Sequence, residues 1–472
     1  MLAYAYDLIY LIAAVLFIAG IKMLSSPKSA LAGNYLSALA MALTVAVTLL
    51  SGEIHDYTWI LAGVAVGTAA GAVWAQVVPM TAMPQMVAVF NGLGGAASAL
   101  VGVSEYFRLA GAMDPILVSV ILLSLLVGGI TFSGSIVAYA KLQELLPGRP
   151  LVYPGQNAFN TLLLVATVGV GIYMVIDPSE PLWFLGLGGA SIVLGILMVL
   201  PIGGADMPVV IALLNSFSGI AVSFAGFVLN SNVLIITGSL VGASGIFLTN
   251  AMCVAMNRSI WNVLFGAFGQ IGGGAKGAAA GGAAAMSSPA GAVKSYSIED
   301  ATTLLENASL VIIVPGFGMA AAQAQHAVRE LAQRLEKNGT EVKFAIHPVA
   351  GRMPGHMNVL LAEANVPYEQ LFDMDQVNDS FHGADVALIV GANDVVNPAA
   401  DEDPSSPIYG MPILRAEEAR TVMVLKRSMS PGFAGIENRL FLHDNTMMLF
   451  GDAKSTLQKL SESLKRAAGA NA

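Results

Sequence analysis

The sequence predicts a multi-span α-helical membrane bundle of about nine helices joined to a C-terminal α/β domain with a doubly wound parallel sheet. Only 11% of the 472 residues are charged and 56% are hydrophobic, whereas soluble proteins carry about 25% charged residues. The charge is also uneven: eight of the 22 Lys and Arg residues precede residue 295, and 14 follow it. Long apolar segments fill the first part, and short strand and helix patterns alternate in the second.

Nine segments of the first part match the roughly 20 apolar residues that a helix needs to cross a bilayer. They are Tyr4–Met23, Tyr35–Leu50, Trp59–Val77, Met86–Phe107, Pro115–Ala140, Ala158–Ile176, Leu182–Leu200, Met207–Leu229 and Val233–Met256. Small residues in the fourth and ninth segments predict close helix packing, namely Gly92, Gly94, Gly95, Gly238, Gly242 and Gly245. Since a simple anchor needs one span, nine closely packed spans indicate transport.

Basic residues in the connecting loops predict the orientation in the membrane. Loops on the side of the C-terminal domain contain Lys22, Lys28, Lys141, Arg149, Arg258 and Lys276, and the opposite loops contain only Arg108. Positive charge stays on the cytoplasmic side. We therefore expect a multi-pass protein of the inner (plasma) membrane, with the N-terminus outside and the C-terminal domain in the cytoplasm.

The sequence predicts three regions. Residues 1–262 form the transmembrane bundle, residues 263–294 form a Gly/Ala-rich flexible linker, and residues 295–472 form the α/β domain. The predicted strands are Leu310–Val314, Glu341–Ile346, Val386–Val390, Thr421–Lys426 and Thr446–Phe450. A helix is expected from the loop after the first strand to Lys337, and a last helix from Asp452 to Arg466. This alternation predicts a parallel sheet.

Composition excludes several classes of protein. The net charge of −9 argues against nucleic acid as a partner. Cys253 is the one cysteine, so no disulfide or cysteine-based metal site can form within the chain. His55 is the only histidine among the first 294 residues, which excludes a membrane haem held by two histidines. We expect no metal.

A glycine motif follows the first predicted strand. Gly316, Gly318 and Ala321 fit the G-x-G-x-x-A pattern, which lets a turn approach a pyrophosphate at the start of a helix in Rossmann-like domains. Residues 346–352, after the second strand, contain no acidic residue to hold a ribose 2′-hydroxyl, which favours NADP(H). A later strand ends in two cations and a hydroxyl suited to a 2′-phosphate, namely Lys426, Arg427 and Ser428, followed by Gly432 and Phe433.

With these motifs the chain strongly resembles the β subunit of proton-translocating NAD(P)+ transhydrogenase over nearly its whole length. The resemblance depends on several strings in order: Pro315–Gln325, His347–Leu361, Gly391–Pro398, Gly410-Met411, Lys426–Ser428, Gly451–Lys454 and, in the membrane part, Gly203–Pro208. It implies a subunit that binds NADP(H), with NAD(H) on a partner α subunit, in a dimer of the whole assembly. It also implies reversible hydride transfer between NADH and NADP+ coupled to proton translocation.

The resemblance further implies roles for individual residues. Phe317 and the loop of Val349, Ala350, Gly351, Arg352, Met353 and Pro354 would line the cofactor. The residues Gly391, Ala392, Asn393, Asp394 and Val395 would approach the nicotinamide half. Gly410 and Met411 would belong to a lid loop, and Asp452 and Ala453 would contact the nucleotide. Lys426, Arg427 and Ser428 would take the 2′-phosphate.

Polar residues within the spans are candidates for a proton route. They are Asn91, Asn215, Ser216, Ser218, Ser239 and Ser244, with Asp206 at the inner mouth. The family that the chain resembles often has a histidine at the position of Asn91, and an asparagine cannot titrate. Asn91 is also explained by a hydrogen bond between helices. Asp394 is the candidate coupling group, and the alternative is that it caps a turn.

A nucleotide-gated channel or transporter with a regulatory NADP-binding domain is the alternative function. Thr167–Gly171 has the letters of a potassium-channel filter, TVGVG. The string lies inside an apolar span, whereas filters are re-entrant loops lined by carbonyl groups. We therefore interpret it as a chance match.

Overall fold

The computed structural model describes residues 2–24, 27–50, 56–109, 114–147, 150–257, 259–260, 293–406, 408–432 and 434–470. The chain divides into two compact units, which are described separately. One unit holds most of the long helices, and the other holds the sheet. The predicted linker falls almost wholly outside the described residues, as do Arg258, Lys276 and Phe433.

The first unit is built from long apolar helices, as predicted. The nine described helices are α1 (Leu2–Leu24), α2 (Pro27–Leu50), α3 (Thr58–Val77), α4 (Met83–Leu109), α5 (Pro115–Leu142), α6 (Gln156–Ile176), α7 (Pro181–Val199), α8 (Met207–Val228) and α9 (Asn232–Ala255). Eight of them, α2 to α9, are long and apolar enough to cross a membrane. Helix α1 contains the apolar stretch Leu8–Leu24.

One sequence prediction about the helices is corrected and another is confirmed. Helix α2 begins at Pro27, eight residues before the predicted start of the span, because proline is well tolerated in the first turn of a helix. The string Thr167–Gly171 lies within the continuous helix α6, where its carbonyl groups belong to the helix. The Thr167 hydroxyl donates to the carbonyl oxygen of Leu163 at 2.7 Å. The string therefore forms no filter.

Glycines let neighbouring helices pack closely. A Cβ atom built on Gly95 would lie 2.8 Å from the carbonyl oxygen of Gly128 in α5, and one on Gly245 would lie 2.8 Å from Ser216 in α8. Gly92, Gly238 and Gly242 are in similar positions. Gly94 is the exception, since a Cβ there would meet nothing within 4 Å. The predicted close packing holds for five of the six glycines and is wrong for Gly94.

The second unit contains a six-stranded parallel sheet in the order β3-β2-β1-β4-β5-β6. The strands are β1 (Leu310–Pro315), β2 (Glu341–Ile346), β3 (Leu371–Asp373), β4 (Val386–Val390), β5 (Thr421–Lys426) and β6 (Thr446–Phe450). The helices around it are α10 (Ile298–Glu306), α11 (Phe317–Ala321), α12 (Gln325–Lys337), α13 (His356–Glu363), α14 (Met374–Phe381), α15 (Ala399–Glu402) and α16 (Ala453–Ala470).

This strand order reverses direction between β1 and β4, which makes a switch point where the loops after the two strands part and leave a crevice. The strand faces are buried in a core that includes Ile312, Val314, Ile389, Val422 and Val424. All five predicted strands are confirmed. The predicted helix after β1 is wrong in one respect, because it is broken into α11 and α12.

Candidate functional site

Two glycine turns meet at the switch point. The Gly316 N–H donates to the carbonyl oxygen of Val390 at 2.9 Å, and the Gly318 N–H donates to that of Gly391 at 2.9 Å. A Cβ atom on Gly318 would lie 2.6 Å from the Gly391 Cα. Gly391 also has a φ of +68°, which other residues adopt rarely. The turns after β1 and β4 therefore touch backbone to backbone, and only glycines permit this contact.

The helix after the first turn is shorter than the motif predicts. Helix α11 ends at Ala321, and Gln323 has a φ of +48° before α12 begins. Ala321 is exposed, whereas Ala320 is buried, so Ala321 does not have the packing role that the motif gives it. A five-residue helix offers only a small dipole. Backbone N–H groups of the turn remain the donors that could meet a phosphate.

The loop of residues 349–354, called the cofactor loop here, is held by two buried histidines. The Val349 N–H donates to His347 Nδ1 at 3.3 Å, and the Arg352 N–H donates to His356 Nδ1 at 3.0 Å. Burial lowers the pKa of each ring to about 4, so both are neutral near pH 7. Of the predicted loop residues, Ala350 and Met353 are buried and Val349, Gly351, Arg352 and Pro354 are partly exposed.

Arg352 joins the cofactor loop to the first glycine turn. Its guanidinium carbon lies 4.2 Å from the centre of the Phe317 ring, a cation–π distance. Gly351, with a φ of +108°, lets the chain turn against the His356 ring, where a Cβ would come within 2.6 Å. The structure therefore brings together two of the residues that were expected to line the cofactor, Phe317 and Arg352.

Lys426, at the end of β5, is engaged within the domain. Its Nζ donates to the Ser430 carbonyl oxygen at 2.5 Å and lies 4.7 Å from the centre of the Phe441 ring. With the Asn393 amide turned to satisfy its neighbours, the Asn393 oxygen accepts from Lys426 Nζ at 3.2 Å and from the Gly432 N–H at 2.6 Å. Burial lowers the pKa of Lys426, and nearby Asp394 acts in the opposite direction.

Asp394 fastens the loop after β5 onto the loop after β4. Its Oδ2 accepts the Ala434 N–H at 2.9 Å. A Cβ on Gly432 would lie 2.5 Å from Asp394 Oδ1, so Gly432 packs directly on the carboxylate. Asn438 Nδ2 donates to the Asn393 carbonyl oxygen at 2.9 Å. The predicted residues Asn393, Asp394, Lys426 and Gly432 therefore form one polar network.

Arg427 and Ser428 are the exposed members of the predicted phosphate site. Ser428 Oγ lies 2.9 Å from Ser430 Oγ. Arg427 lies 3.9 Å from the carboxylate of Asp452, so one of the two predicted phosphate-binding cations has an acidic neighbour. Both side chains of this ion pair are exposed and the distance between them is long, so the pair contributes little to stability. Asp452 also accepts the Ser455 N–H at 3.2 Å, directly before α16, whose first residue Ala453 is buried.

The segment of residues 410–415, called the strap here, contains the predicted lid residues. Gly410 is exposed with a φ of +75°, and Met411 is buried against Ala400, Ile408 and Ile413. The Leu414 N–H donates to the carbonyl oxygen of Val395 at 2.9 Å. The strap therefore packs onto the loop after β4, near the glycine turn.

The candidates in the helical unit are arranged differently. Asn91 is buried, and its Nδ2 lies 3.5 Å from the carbonyl oxygen of Ile211 in α8, while Ser218 Oγ donates to the carbonyl oxygen of Asn91 at 3.1 Å. Asn215 is partly exposed in α8. Asp206 ends the 3-10 turn that directly precedes α8 in the chain, and it belongs to the other compact unit. Ser216 donates across to Gly242 and Ser239 pairs with Ser223. Ser239 and Ser244 are both exposed on α9, so the expected place inside the bundle is wrong for both.

Several long-range hydrogen bonds that shape the site were not predicted. Asn378 in α14 donates to the carbonyl oxygen of Ile413 at 3.0 Å, and buried Asn397 donates to that of Glu437 at 3.1 Å. His347 Nε2 lies 2.8 Å from the carbonyl oxygen of Pro412. Each partner is 35 or more residues away in the chain, so no local spacing indicates it. No group of His, Cys, Asp and Glu side chains suited to a metal occurs in the described part of the chain.

The long apolar helices, the reversed sheet and the paired glycine turns define a membrane-spanning protein with a Rossmann-like nucleotide domain. The family of NAD(P) transhydrogenase beta subunits matches residues 6–463. Two curated relatives, both called NAD(P) transhydrogenase subunit beta, come from Rhodospirillum rubrum, one of them from strain ATCC 11170. Each is 51% identical over 463 residues, which cover 96% of this chain and 98% of the relative. The chain belongs to the NAD(P) transhydrogenase beta subunit family.

Proposed function

We propose that the chain is the membrane and NADP(H)-binding subunit of a transhydrogenase that couples reversible hydride transfer between NADH and NADP+ to proton translocation. The observation that carries the proposal is the arrangement at the carboxyl edge of the sheet. There the paired glycine turns of β1 and β4 lie next to the cationic end of β5. Membership of a transhydrogenase family supports a nicotinamide nucleotide as the ligand.

The choice of NADP(H) over NAD(H) depends on charge. The chain has no acidic residue between 346 and 352, where an NAD site would hold the ribose hydroxyls, and the His347 side chain is buried there. Arg427 and Ser428 are exposed at the end of β5 and can turn to a phosphate. We assign Lys426 two roles: its hydrogen bond to Ser430 holds the loop that contains Arg427 and Ser428, and its positive charge adds to the attraction for the phosphate.

The two ends of the nucleotide would lie over different strands. The carboxyl end of β5 lies three strand spacings from that of β2 in the order β2-β1-β4-β5, a distance of about 14 Å. A 2′-phosphate at Arg427 places the pyrophosphate near Gly316 and Gly318 and the nicotinamide half toward Arg352 and Asp394. Val349–Pro354, Gly391–Val395, Gly410-Met411, Phe433 and Asp452-Ala453 would complete the lining.

Hydride transfer needs a second nucleotide. The α/β domain offers one sheet with one switch point, so we assign NAD(H) to a partner α subunit, consistent with the relatives' name, subunit beta. The cofactors supply the redox chemistry, and the protein positions them and excludes water. Arg352, stacked on Phe317, would fix the cofactor loop beside the reacting ring.

The helical unit would carry the proton across the inner membrane. We propose a route along the contact of α4 and α8, where Asn91, Asn215 and Ser218 lie, with Asp206 at its inner mouth. The basic residues of the loops support a cytoplasmic C-terminal domain and an N-terminus outside. The proposed regions are 1–262 for the bundle, 263–294 for the linker and 295–472 for the nucleotide domain, in a dimer of the whole assembly.

A binding experiment tests the choice of nucleotide. The full chain, in detergent with its partner subunit, should bind NADPH much more tightly than NADH. The double variant Arg427→Ala/Ser428→Ala should lose about ten- to hundredfold in NADPH affinity because charged hydrogen bonds to the phosphate are lost. Arg466→Ala is the matched control and should change neither affinity, because Arg466 is an exposed arginine of α16 that lies 3.9 Å from Glu462.

Equal affinity of the unaltered protein for NADH and NADPH would refute the proposal. Mixing with the NAD(H)-binding partner separates it from the alternative, a nucleotide-gated channel. A channel would bind nucleotide and show no hydride exchange, whereas the proposed subunit exchanges hydride and acidifies or alkalinises sealed vesicles.

Asp394→Asn tests the coupling group. Asparagine keeps an oxygen to accept the Ala434 N–H, so the loop stays in place while the charge next to Lys426 is removed. We expect the pH dependence of NADP(H) release to change. Release rates that vary with pH as in the unaltered protein would leave Asp394 only the capping role.

A further inference from the structure

His347 connects two loops that are far apart in the chain. Its ring is 2% exposed at the end of β2. Nδ1 accepts the Val349 N–H at 3.3 Å, and Nε2 lies 2.8 Å from the Pro412 carbonyl oxygen. Because a carbonyl can only accept, the proton of the neutral ring is on Nε2. Both nitrogens are therefore used, one by the cofactor loop and one by the strap.

The strap is also attached to the other side of the switch point. The Gly410 N–H donates to the Ala400 carbonyl oxygen at 2.8 Å, and the Leu414 N–H donates to that of Val395 at 2.9 Å. The strap thus joins the loops after β2 and β4, and these strands flank β1 in the sheet. The glycine turn of β1 lies between the two points of attachment.

We propose that His347 is a positioning residue that couples the cofactor loop to the strap, so that both loops hold or release NADP(H) together. The inference rests on the proposed function for the identity of the nucleotide. The hydrogen bond from His347 to Pro412 links the two segments directly, so its loss should loosen the strap from the cofactor loop.

His356 provides a matched comparison within the same loop. Its Nδ1 accepts the Arg352 N–H at 3.0 Å, and the ring is fully buried, as that of His347 nearly is. Among the described residues, its Nε2 has no hydrogen-bond partner, so it makes no bond to the strap. A change at His356 disturbs the cofactor loop alone.

Two substitutions at His347 separate its two bonds. His347→Asn keeps a short acceptor for the N–H two residues on, as in an Asx turn, but cannot reach Pro412. His347→Gln has a longer side chain whose amide can donate to Pro412. The full chain with its partner subunit is followed by hydrogen exchange without nucleotide, and NADPH release is followed by stopped-flow fluorescence.

We expect His347→Asn to speed amide exchange in residues 410–415 and to speed NADPH release by about fivefold, as loss of one hydrogen bond implies. His347→Gln should restore slow exchange in the strap. His356→Asn should speed exchange in the cofactor loop and leave the strap unchanged. A merely local role for His347 would not alter a segment 65 residues away.

Unchanged strap exchange in His347→Asn, or equal strap exchange in His347→Asn and His356→Asn, would overturn the inference. Because the exchange is measured without nucleotide, either result is independent of which nucleotide binds. Failure of the proposed function would instead appear as equal NADH and NADPH affinity in the unaltered protein.

Discussion

The helical unit and the sheet unit use buried polar side chains in different ways. In the helices, hydroxyl groups mostly donate to the carbonyl four residues earlier in the same helix, as Thr131, Thr167 and Thr249 do. In the sheet unit, His347 and Asp394 bond to backbone groups 65 and 40 residues away. A hydrogen bond within one helix forms when that helix forms. A hydrogen bond between distant loops forms only when the loops come together.

This difference has an energetic consequence. A polar group in a membrane helix finds an acceptor on its own helix, so removing it costs little. A loop group that satisfies a distant N–H leaves that group without a partner when it is removed, at a cost of about 1–3 kcal/mol. Substitutions should therefore be more damaging in the loops of the sheet unit than at buried hydroxyls of the helices.

The largest effect is expected at Gly391. A Cβ there would lie 2.6 Å from Met319 N and from the Gly318 carbonyl carbon, and its φ is +68°. Gly391→Ala should force the two glycine turns apart and weaken NADPH binding at least about hundredfold, as a clash of about 3 kcal/mol implies. Isothermal titration of the full chain measures the affinity.

Gly339→Ala is the control for Gly391→Ala. Gly339 also has a positive φ, +90°, but a Cβ there meets nothing within 4 Å. The change should cost only the backbone strain of about 1–2 kcal/mol and leave NADPH affinity unchanged. Equal losses of affinity in the two variants would show that contact between the turns is not what matters.

Lys141 is one of the residues of the helical unit that bond outside their own helix, and its substitution should give the next largest effect. This buried residue near the end of α5 donates from Nζ to the carbonyl oxygens of Leu200 and Ile202, at 2.5 and 2.7 Å. Lys141→Met keeps most of the volume and removes both bonds, so we expect a loss of about 2–3 kcal/mol in stability. Thermal unfolding in detergent measures it, and NADPH affinity should not change.

Thr131→Val is the matched control, since Thr131 is fully buried and its hydroxyl bonds only within its own helix at 2.7 Å. It should cost less than about 1 kcal/mol. If Lys141→Met were no more destabilising than Thr131→Val, long-range bonds would matter no more than local ones in this unit.

The elements that the sequence predicts are those whose signals are local. Five strands are confirmed because each is a run of five or six residues that is mostly apolar or, in β2, begins with alternating polar and apolar residues. Strand β3, Leu371–Asp373, was missed because three residues at the edge of a sheet carry no periodicity. The break between α11 and α12 falls in an Ala-Ala-Gln-Ala stretch of good helix formers, so propensity predicts no end there.

The features of the site also divide into those with a local signal in the sequence and those without one. The close approach of the glycine turns follows from a motif at the end of a strand, and its counterpart at Gly391 follows another strand end. The engagement of Lys426 with Ser430 and Phe441 depends on the loop after β5 folding back. The bond from His347 to Pro412 depends on the strap crossing the loop after β2. Neither long-range arrangement leaves a pattern in the order of residues.

The smallest effect on stability is expected at Asn91. Its Nδ2 is 3.5 Å from the Ile211 carbonyl oxygen, at the limit of a hydrogen bond, and Ser218 donates to its main chain. Asn91→Leu, of similar size, should therefore cost only about 0.6 kcal/mol. If the proton route follows α4 and α8, the same variant should lower proton uptake per hydride about twofold or more, since one polar group of the route is lost.

The measurement compares hydride transfer and dye-reported proton uptake in sealed vesicles that contain the chain and its partner subunit. Thr249→Val is the control and should alter neither rate. Thr249 is fully buried, and its hydroxyl donates to the carbonyl oxygen of Gly245 at 2.7 Å within α9. If proton uptake per hydride stays unchanged in Asn91→Leu, the role of Asn91 is limited to a hydrogen bond between helices. In that case Asn91 would not have the functional role in the helical unit that the polar network has in the sheet unit.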